Sequence, residues 1–448
     1  MPRLVNLALG ALASTDALGV RLDHSNFMMA VEAKKVNHIE TLEMRSIFTR
    51  GTCWLPQCAP TKREKWCTAG HDQPSGDICQ RDAAMCREHC SGAWVPAVTV
   101  SPEDDLVQVV SNASYGAVIE LADGVYKLTA TVEVTRPLTI VAQHAGKAIL
   151  DGSGIPKEGN RPIMKWHPRD VTSDALSLQG VGFIHGINRH DGPPMTTGGC
   201  LDLKLGVATI ASCSFTDCQA TFGDSIHING AMTKIINSTF TDVGGILIEG
   251  WSYDKGGNRT YPHVEIRGSN FTNIAGGYNV IEHVSGELQI SESFFEGNAQ
   301  SSVFAHGGNE TSVSVTDSVF RNNKCSSAGT VEIEGPFGDP GPNVFLTRCE
   351  FSSNVAKKGG AVSIHDSNLM MKNCRLTGNT ATEAGGGLYA GLQWMKSAGG
   401  LQLTIDELTH FEGNHAPSGT NVFVSKIPVC SDAYVDMDGK ITCGTIYN

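Results

Sequence analysis

The sequence predicts an all-β chain wound as a parallel β-helix solenoid of about a dozen coils, and three observations predict it. Nine segments repeat a bulky apolar anchor, at Phe183, Phe215, Phe240, Phe271, Phe295, Phe320, Phe351, Leu376 and Phe411. Their separations are 32, 25, 31, 24, 25, 31, 25 and 35, a base period of one coil with insertions. Each anchor also stands in the same grammar. A strand precedes it, a small residue lies two places before it (Cys213, Ser238, Ser269, Ser293, Ser318, Cys349, Cys374), and an Asn often lies three after it (Asn298, Asn323, Asn354, Asn379, Asn414). A Gly-rich turn and a second strand follow, as in residues 359–364. Composition agrees: 50 Gly in 448 residues, 7% aromatic, 40% hydrophobic and 18% charged favour many tight turns over a helical bundle, and exclude bulk disorder. Equivalent residues at this period stack, so Phe fills the interior and Asn can bond from coil to coil. Propeller blades need about 40–50 residues, and the leucine-rich spacing is absent.

The elements follow in order. Residues 4–13 are an apolar run after Arg3, ending in Ala11-Leu12-Ala13, and residues 1–19 read as a signal peptide region. The run is about half the roughly 20 residues a membrane helix needs, so no transmembrane segment is expected. Residues 20–50 carry Met28, Val31, Ile39 and Leu42 on one helical stripe. Residues 51–97 crowd Cys53, Cys58, Cys67, Cys79, Cys86 and Cys90 together and read as a disulfide-stapled module, too small to fold on its own core. Zinc is the weaker rival, because C-x2-C knuckles are missing. Residues 98–426 are the solenoid, and residues 427–448 a cap that Cys430 and Cys443 would staple. Cys213, Cys349 and Cys374 are expected as buried thiols. Five sequons, at Asn112, Asn237, Asn258, Asn270 and Asn309, agree with a secreted glycoprotein.

Residues 106–152, LVQVVSNASYGAVIELADGVYKLTATVEVTRPLTIVAQHAGKAILDG, resemble the opening coils of the right-handed β-helix, pectin-lyase-like superfamily. The Phe-x-x-Asn turns (FEGN, FRNN, FSSN) and the Gly-Gly-Ala-Val strand at 359–362 are similar to polymorphic-outer-membrane-protein repeats. The resemblance covers residues 100–426. It implies a right-handed coil and leaves activity open. The catalytic signatures of pectate lyases, alginate epimerases and polygalacturonases are missing. Gly223-Asp224-Ser225 matches the start of the GDSL esterase signature, but the repeat explains it as a turn-to-strand junction.

Alternation along the second strands assigns Ile226 and Ile228, Ile246 and Ile248, Val303 and Ala305, Val331 and Ile333, and Val362 and Ile364 to the interior. An outward row follows: Asn229, Glu249, then Glu282 or His283, then His306, Glu334 and His365. Carboxylates and His on a lattice with rungs about 4.8 Å apart suit general acid/base work; a solvated charge ladder suits them equally. Glu334 is the preferred acid/base candidate, with His306 and His365 on adjacent coils and Glu249 or Glu282 as partner. Two or three coils of separation, about 10–14 Å, is wide for such a pair. Long insertions leave the same corner at 251–263, 335–343 and 391–400, and another enters at 187–199. Their aromatics (Trp251, Tyr253, Tyr261, Phe337, Trp394) would wall a groove and, with His227 and Asn229, contact a sugar.

The net charge of −12 makes nucleic acid a poor partner. The sequence therefore points to a secreted β-helix that recognises an extracellular or cell-surface polysaccharide without catalysis. The alternatives are a polysaccharide lyase or glycoside hydrolase using the same Glu and His, and a structural adhesion rod binding surface or matrix proteins. No cofactor is required and no metal site is expected. Ca²⁺ would be needed by a uronate lyase, because the outward row holds no Arg or Lys.

Overall fold

The computed structural model describes residues 51–54, 93–156, 161–169, 174–188, 198–220, 224–250, 252–253, 259–326, 328–336, 341–391, 401–425, 433–435 and 441–443. The chain divides into Met1–Trp94 and Val95–Asn448. The first unit is described at residues 51–54 and 93–94, both in strand. The expected helix at 20–50 and most of the cysteine-rich module lie outside the described residues.

The second unit is a parallel β-helix. Three long sheets run its length, one of 12 strands and two of 11, and every strand in them pairs with the equivalent strand one coil away. We name them by their order in each coil. Thr311–Thr316 belongs to sheet A, Val319–Arg321 to sheet B and Val331–Glu334 to sheet C, and Asn343–Thr347 returns to sheet A.

Two left-handed residues per coil set this path. One stands three places before the anchor: Ser212, Asn237, Glu292, Asp317, Arg348 and Asn373 have φ between 49° and 53°. The other stands two places after it: Asp217, Asp242, Asn273, Asn322 and Ser353 have φ between 50° and 56°. Non-Gly residues adopt this region at some cost, and short polar side chains adopt it most easily. The pair of bends limits most sheet B strands to three residues, with the anchor in the middle, as in Asn270–Thr272.

The anchors form the core. Seven rings from Phe183 to Phe351 stack in one column, with centroids 4.6–5.0 Å apart and planes within 6° of parallel. Beside them runs the Asn column: Asn323 donates to Asn354, Asn354 to Asn379 and Asn379 to Asn414, each at 2.9 Å. The small-residue column is bonded too, each Ser Oγ accepting the backbone N–H one coil below, as Ser269 Oγ does from Ser238 N. Cys213, Cys349 and Cys374 occupy this column as buried free thiols, and burial pushes Cys213 up to about 12.

Two features differ from the sequence expectation. Residues 106–112, read as part of the opening coils, form a helix, Leu106–Asn112. Asp105 caps it by accepting from Gln108 N, and Leu106 and Val110, four apart on one face, bury against the core. That helix packs on Val132–Val134, a strand of sheet C. Cys200 and Cys218 form a disulfide that their spacing did not suggest, with Cα atoms 5.4 Å apart. Near the end of the chain, Ala433–Val435 pairs antiparallel with Ile441–Cys443. The side chains of Cys53, Cys58, Cys67, Cys79, Cys86, Cys90, Cys430 and Cys443 lie outside the described ones. Among the described residues no helix is long and apolar enough to cross a membrane.

Candidate functional site on sheet C

Sheet C keeps the predicted parity. Ile226, Ile228, Ile246, Ile248, Val331 and Ile333 are fully buried, and the residues between them face outward in two columns. The first column runs Glu133, Lys165, Asp202, His227, Leu247, Glu282, Phe304, Glu332, Ser363, Tyr389, Phe423. The second contains Lys204, Asn229 and Glu249, and further along His306, Glu334, His365, Gly391 and Ser425.

This register corrects the single outward row. Glu282 faces out, but in the first column. His283 pairs with Ile248 and faces inward, wholly buried, where its Nε2 donates to Gly286 O. Burial pushes its pKa down to about 4, and it stays neutral. The row also contains a cation: Lys204 stands in register with Asn229. A missing basic residue therefore no longer counts against a lyase.

Three coils assemble a hydrogen-bonded chain that the sequence pattern only partly anticipates. His227 Nδ1 lies 2.9 Å from Asp202 Oδ1, and His227 Nε2 lies 3.2 Å from Glu249 Oε1. Asp202 is fully buried, His227 nearly so, and Glu249 reaches the surface with its side chain 38% exposed. Both ring nitrogens face carboxylates, so both donate only from the imidazolium. Burial opposes that charge, but the bonds to Asp202 and Glu249 prevail and hold the ring up at about 9. Burial likewise works against ionised Asp202, but the His227 bond together with the charges of His227 and Lys204 outweighs it and lowers its pKa. The same ring lowers Glu249, chiefly by its hydrogen bond. Lys204 Nζ adds a second cation 3.5 Å from Asp202 Oδ2.

A fourth carboxyl, Asp224, opens the strand Asp224–Asn229. The ladder to the next coil slips between Asp224 and Ile226, and this irregularity takes Asp224 out of the simple alternation. Gly198 N donates to Asp224 Oδ2 at 2.6 Å, while Oδ1 has no hydrogen-bond partner. Burial raises this carboxyl to about 6, against the Gly198 bond and the His227 charge. Gly198 has φ +63°, and a Cβ there would lie 2.2 Å from Leu201 O, so the donor position requires glycine. The Cys200–Cys218 bridge secures the turn that presents Gly198 and Asp202. Ser225 Oγ, of the GDSL-like triplet, is buried and donates to Gly245 O.

Asp224 lines a cleft of about 210 Å³ with Leu247, Tyr278, Asn279 and Glu282. Asn279 Nδ2 donates to Glu282 Oε2 at 3.2 Å, and His306 Nε2 lies 3.3 Å from Glu282 Oε1. Tyr278 stands on the rim, 64% exposed. Asp202, Asp224 and Tyr278 were missed in the sequence. Asp202 follows a long insertion outside the aligned strands, Asp224 was absorbed by the repeat, and Tyr278 precedes a strand of uncertain parity.

The Glu334 constellation does not close. His306 and His365 are its register neighbours, but His306 bonds Glu282, and His365 Nε2 lies 3.3 Å from Ser363 Oγ. Glu282 is two coils from Glu334, about 10 Å, in the other column. This end of the sheet is aromatic instead. The rings of Phe304 and His306 stack at 4.8 Å and those of Tyr389 and Phe423 at 5.6 Å, and Lys358 Nζ lies 5.1 Å above Tyr389. Among the groove aromatics, Tyr261 is half-buried at the corner between sheets C and A. Trp251, Phe337 and Trp394 lie outside the described residues, as does the Tyr253 side chain. Asn112, Asn270 and Asn309 are exposed, Asn237 is half-buried, and Asn258 lies outside the described residues. Among the described residues no group of three or more His, Cys, Asp or Glu could hold a metal ion.

No protein-family model and no curated protein matches the chain. Solved structures do. An alginate lyase from Paenibacillus sp. str. FPU-7 is 16% identical, with a TM-score of 0.42 over 69% of this chain and 99% of its own. PfbA, a surface adhesin of Streptococcus pneumoniae, is 13% identical, with a TM-score of 0.47 over 78% and 100%. The catalytic domain of a GH87 α-1,3-glucanase in complex with nigerose is 10% identical, with a TM-score of 0.44 over 74% and 68%. Nothing about the activity of this chain follows from likenesses at these identities and scores.

Proposed function

We propose that the chain binds an extended glycan along sheet C, outside the cell. The observation that carries this reading is the cleft at Asp224, Tyr278 and Glu282, which opens beside columns of polar and aromatic side chains in register over successive coils. Rungs about 4.8 Å apart offer a polymer repeated contacts, with carboxylates and amides for its hydroxyls and aromatic faces for its rings. The Cys200–Cys218 bridge and the exposed sequons support an oxidising, extracellular setting.

A glycan array followed by calorimetry tests it. Tyr278→Ala should weaken binding several-fold to tenfold, in line with about 0.5–1.5 kcal/mol for an aromatic contact. Trp251→Ala and Trp394→Ala should do the same if their loops wall the groove. A broad panel with no binding would leave the structural rod.

A second reading, cleavage of the bound chain, is supported by the Asp202–His227–Glu249 relay beside a carboxyl held near 6. Release of reducing ends would indicate a hydrolase and unsaturated products a lyase, and either activity should fall about 10²–10⁴-fold in Asp224→Asn.

A further inference from the structure

We infer that the Asp224 cleft receives the ammonium group of an amino sugar, so that the glycan recognised is one carrying free primary amines. The inference rests on the glycan-binding reading and names its substrate class.

Four carboxylates surround the cleft and the relay beside it: Asp202, Asp224, Glu249 and Glu282. Two fixed cations answer them. His227 is shared between Asp202 and Glu249, and Lys204 lies against Asp202. His306 hydrogen-bonds Glu282. Asp224 is the group left over. It is 4% exposed and lines the cleft; one oxygen is held by Gly198 N, and the other is buried with no hydrogen-bond partner. A buried carboxylate oxygen without a donor is unfavourable, and a ligand that supplies charged N–H donors relieves it. A sugar hydroxyl supplies one neutral donor. An ammonium supplies three donors and the missing charge. A uronate would bring a fifth carboxylate into the same field.

The size and rim of the cleft fit the same ligand. About 210 Å³ is below the roughly 300–1,000 Å³ typical of drug-sized ligands, and suits one ring of a longer chain. Tyr278 on the rim, 64% exposed, is a side chain of the type that packs on a sugar's apolar side and on a cation. A divalent ion is the weaker occupant, since no three-ligand group exists among the described residues.

Calorimetric titration with glucosamine and galactosamine oligosaccharides, each beside its fully N-acetylated form, tests the inference, because acetylation removes the charge and keeps the backbone. The intact chain should bind at least one amine form tenfold or more tightly than its acetylated partner, and Asp224→Asn and Glu282→Gln should each reduce that preference toward unity. Thermal melts of both variants establish that they are folded. Equal affinity for the two forms, a preference for the acetylated form, or a preference that survives in folded Asp224→Asn overturns the inference. Binding confined to neutral or acidic glycans on the array overturns it while leaving the glycan-binding reading intact, and binding to no glycan removes both.

Discussion

Replacing Asp224 with Asn should stabilise the fold at neutral pH. The carboxyl is held at about 6 against an ordinary value of 3.8, mainly by burial. A tenfold change in acid strength corresponds to about 1.4 kcal/mol, so the ionised form is disfavoured in the fold by about 3 kcal/mol. The sign follows from linkage. The folded state holds this proton more tightly than the unfolded chain, so the penalty is absent below pH 3.8, grows as pH rises, and is complete above about 6. Asn keeps an acceptor for Gly198 N–H and carries no charge. Unfolding entropy of about 2.1 cal/mol/K per residue, over the roughly 350 residues of the second unit, converts about 3 kcal/mol into a rise of about 4 °C in Tm. Scanning calorimetry of both proteins at about pH 7.5 and about pH 3.5 measures it, with the gain expected at the higher pH and largely absent at the lower. A lower Tm for Asp224→Asn at neutral pH, or an equal gain at both, would refute the reasoning. A substitution that strengthens the fold while weakening ligand binding is the signature of a group kept for function.

Four further outcomes are expected. His227 is raised from 6.5 to about 9, so its contribution, about 3 kcal/mol, should be present below pH 6.5 and lost as pH rises through 9, a dependence that His227→Gln abolishes in denaturant melts. Asp202 and Glu249 are lowered and act at the other end, their stabilisation being lost as pH falls below about 4. Phe271→Ala, in the middle of the ring stack, should cost about 3–5 kcal/mol, and an unchanged Tm would argue against a continuous core. Reducing Cys200–Cys218, which closes a separation of 18 residues, should cost about 3 kcal/mol by the chain-entropy relation and should loosen Gly198 against Asp224, seen as faster amide exchange there.

The sequence made the solenoid legible because its core is a one-dimensional repeat. Phe215 and Phe240 occupy the same place in successive coils, so a period read along the chain becomes a contact in space. The same logic revealed which face Glu249 and Glu334 share. It failed where the period is interrupted. Asp202 follows the 187–199 insertion, so no aligned strand flagged it, yet it stands one rung from His227. His283 and Glu282 could not be told apart because their strand is only three residues long. The Leu106–Asn112 helix was hidden because Leu106 and Val110 suit a buried strand run as well as a helix face, and Asp105 is the cue that separates the two. Cys200 and Cys218 carry no spacing signature, and their pairing depends on two turns that only the coil brings together.

A repeating lattice also explains why the site lies where it does. Over most of the solenoid each coil offers its neighbour the same residue, which suits Phe and Asn and would be unfavourable for carboxylates, since like charges one rung apart repel. Sheet C breaks the repetition between Asp202 and Glu282 by placing His227 between two acids, Leu247 in the next rung and Glu282 beyond it. His227 and Lys204 thereby answer Asp202 and Glu249, whereas Asp224, which the slipped ladder takes out of the columns, is held only by the Gly198 backbone. The irregularity and the unanswered carboxyl oxygen occur at the same residue, in the coil pinned by Gly198 and closed by the disulfide. A mere solvated ladder gives no reason to fix that turn so firmly or to bury that carboxyl, whereas a ligand that brings its own positive charge gives a reason for both.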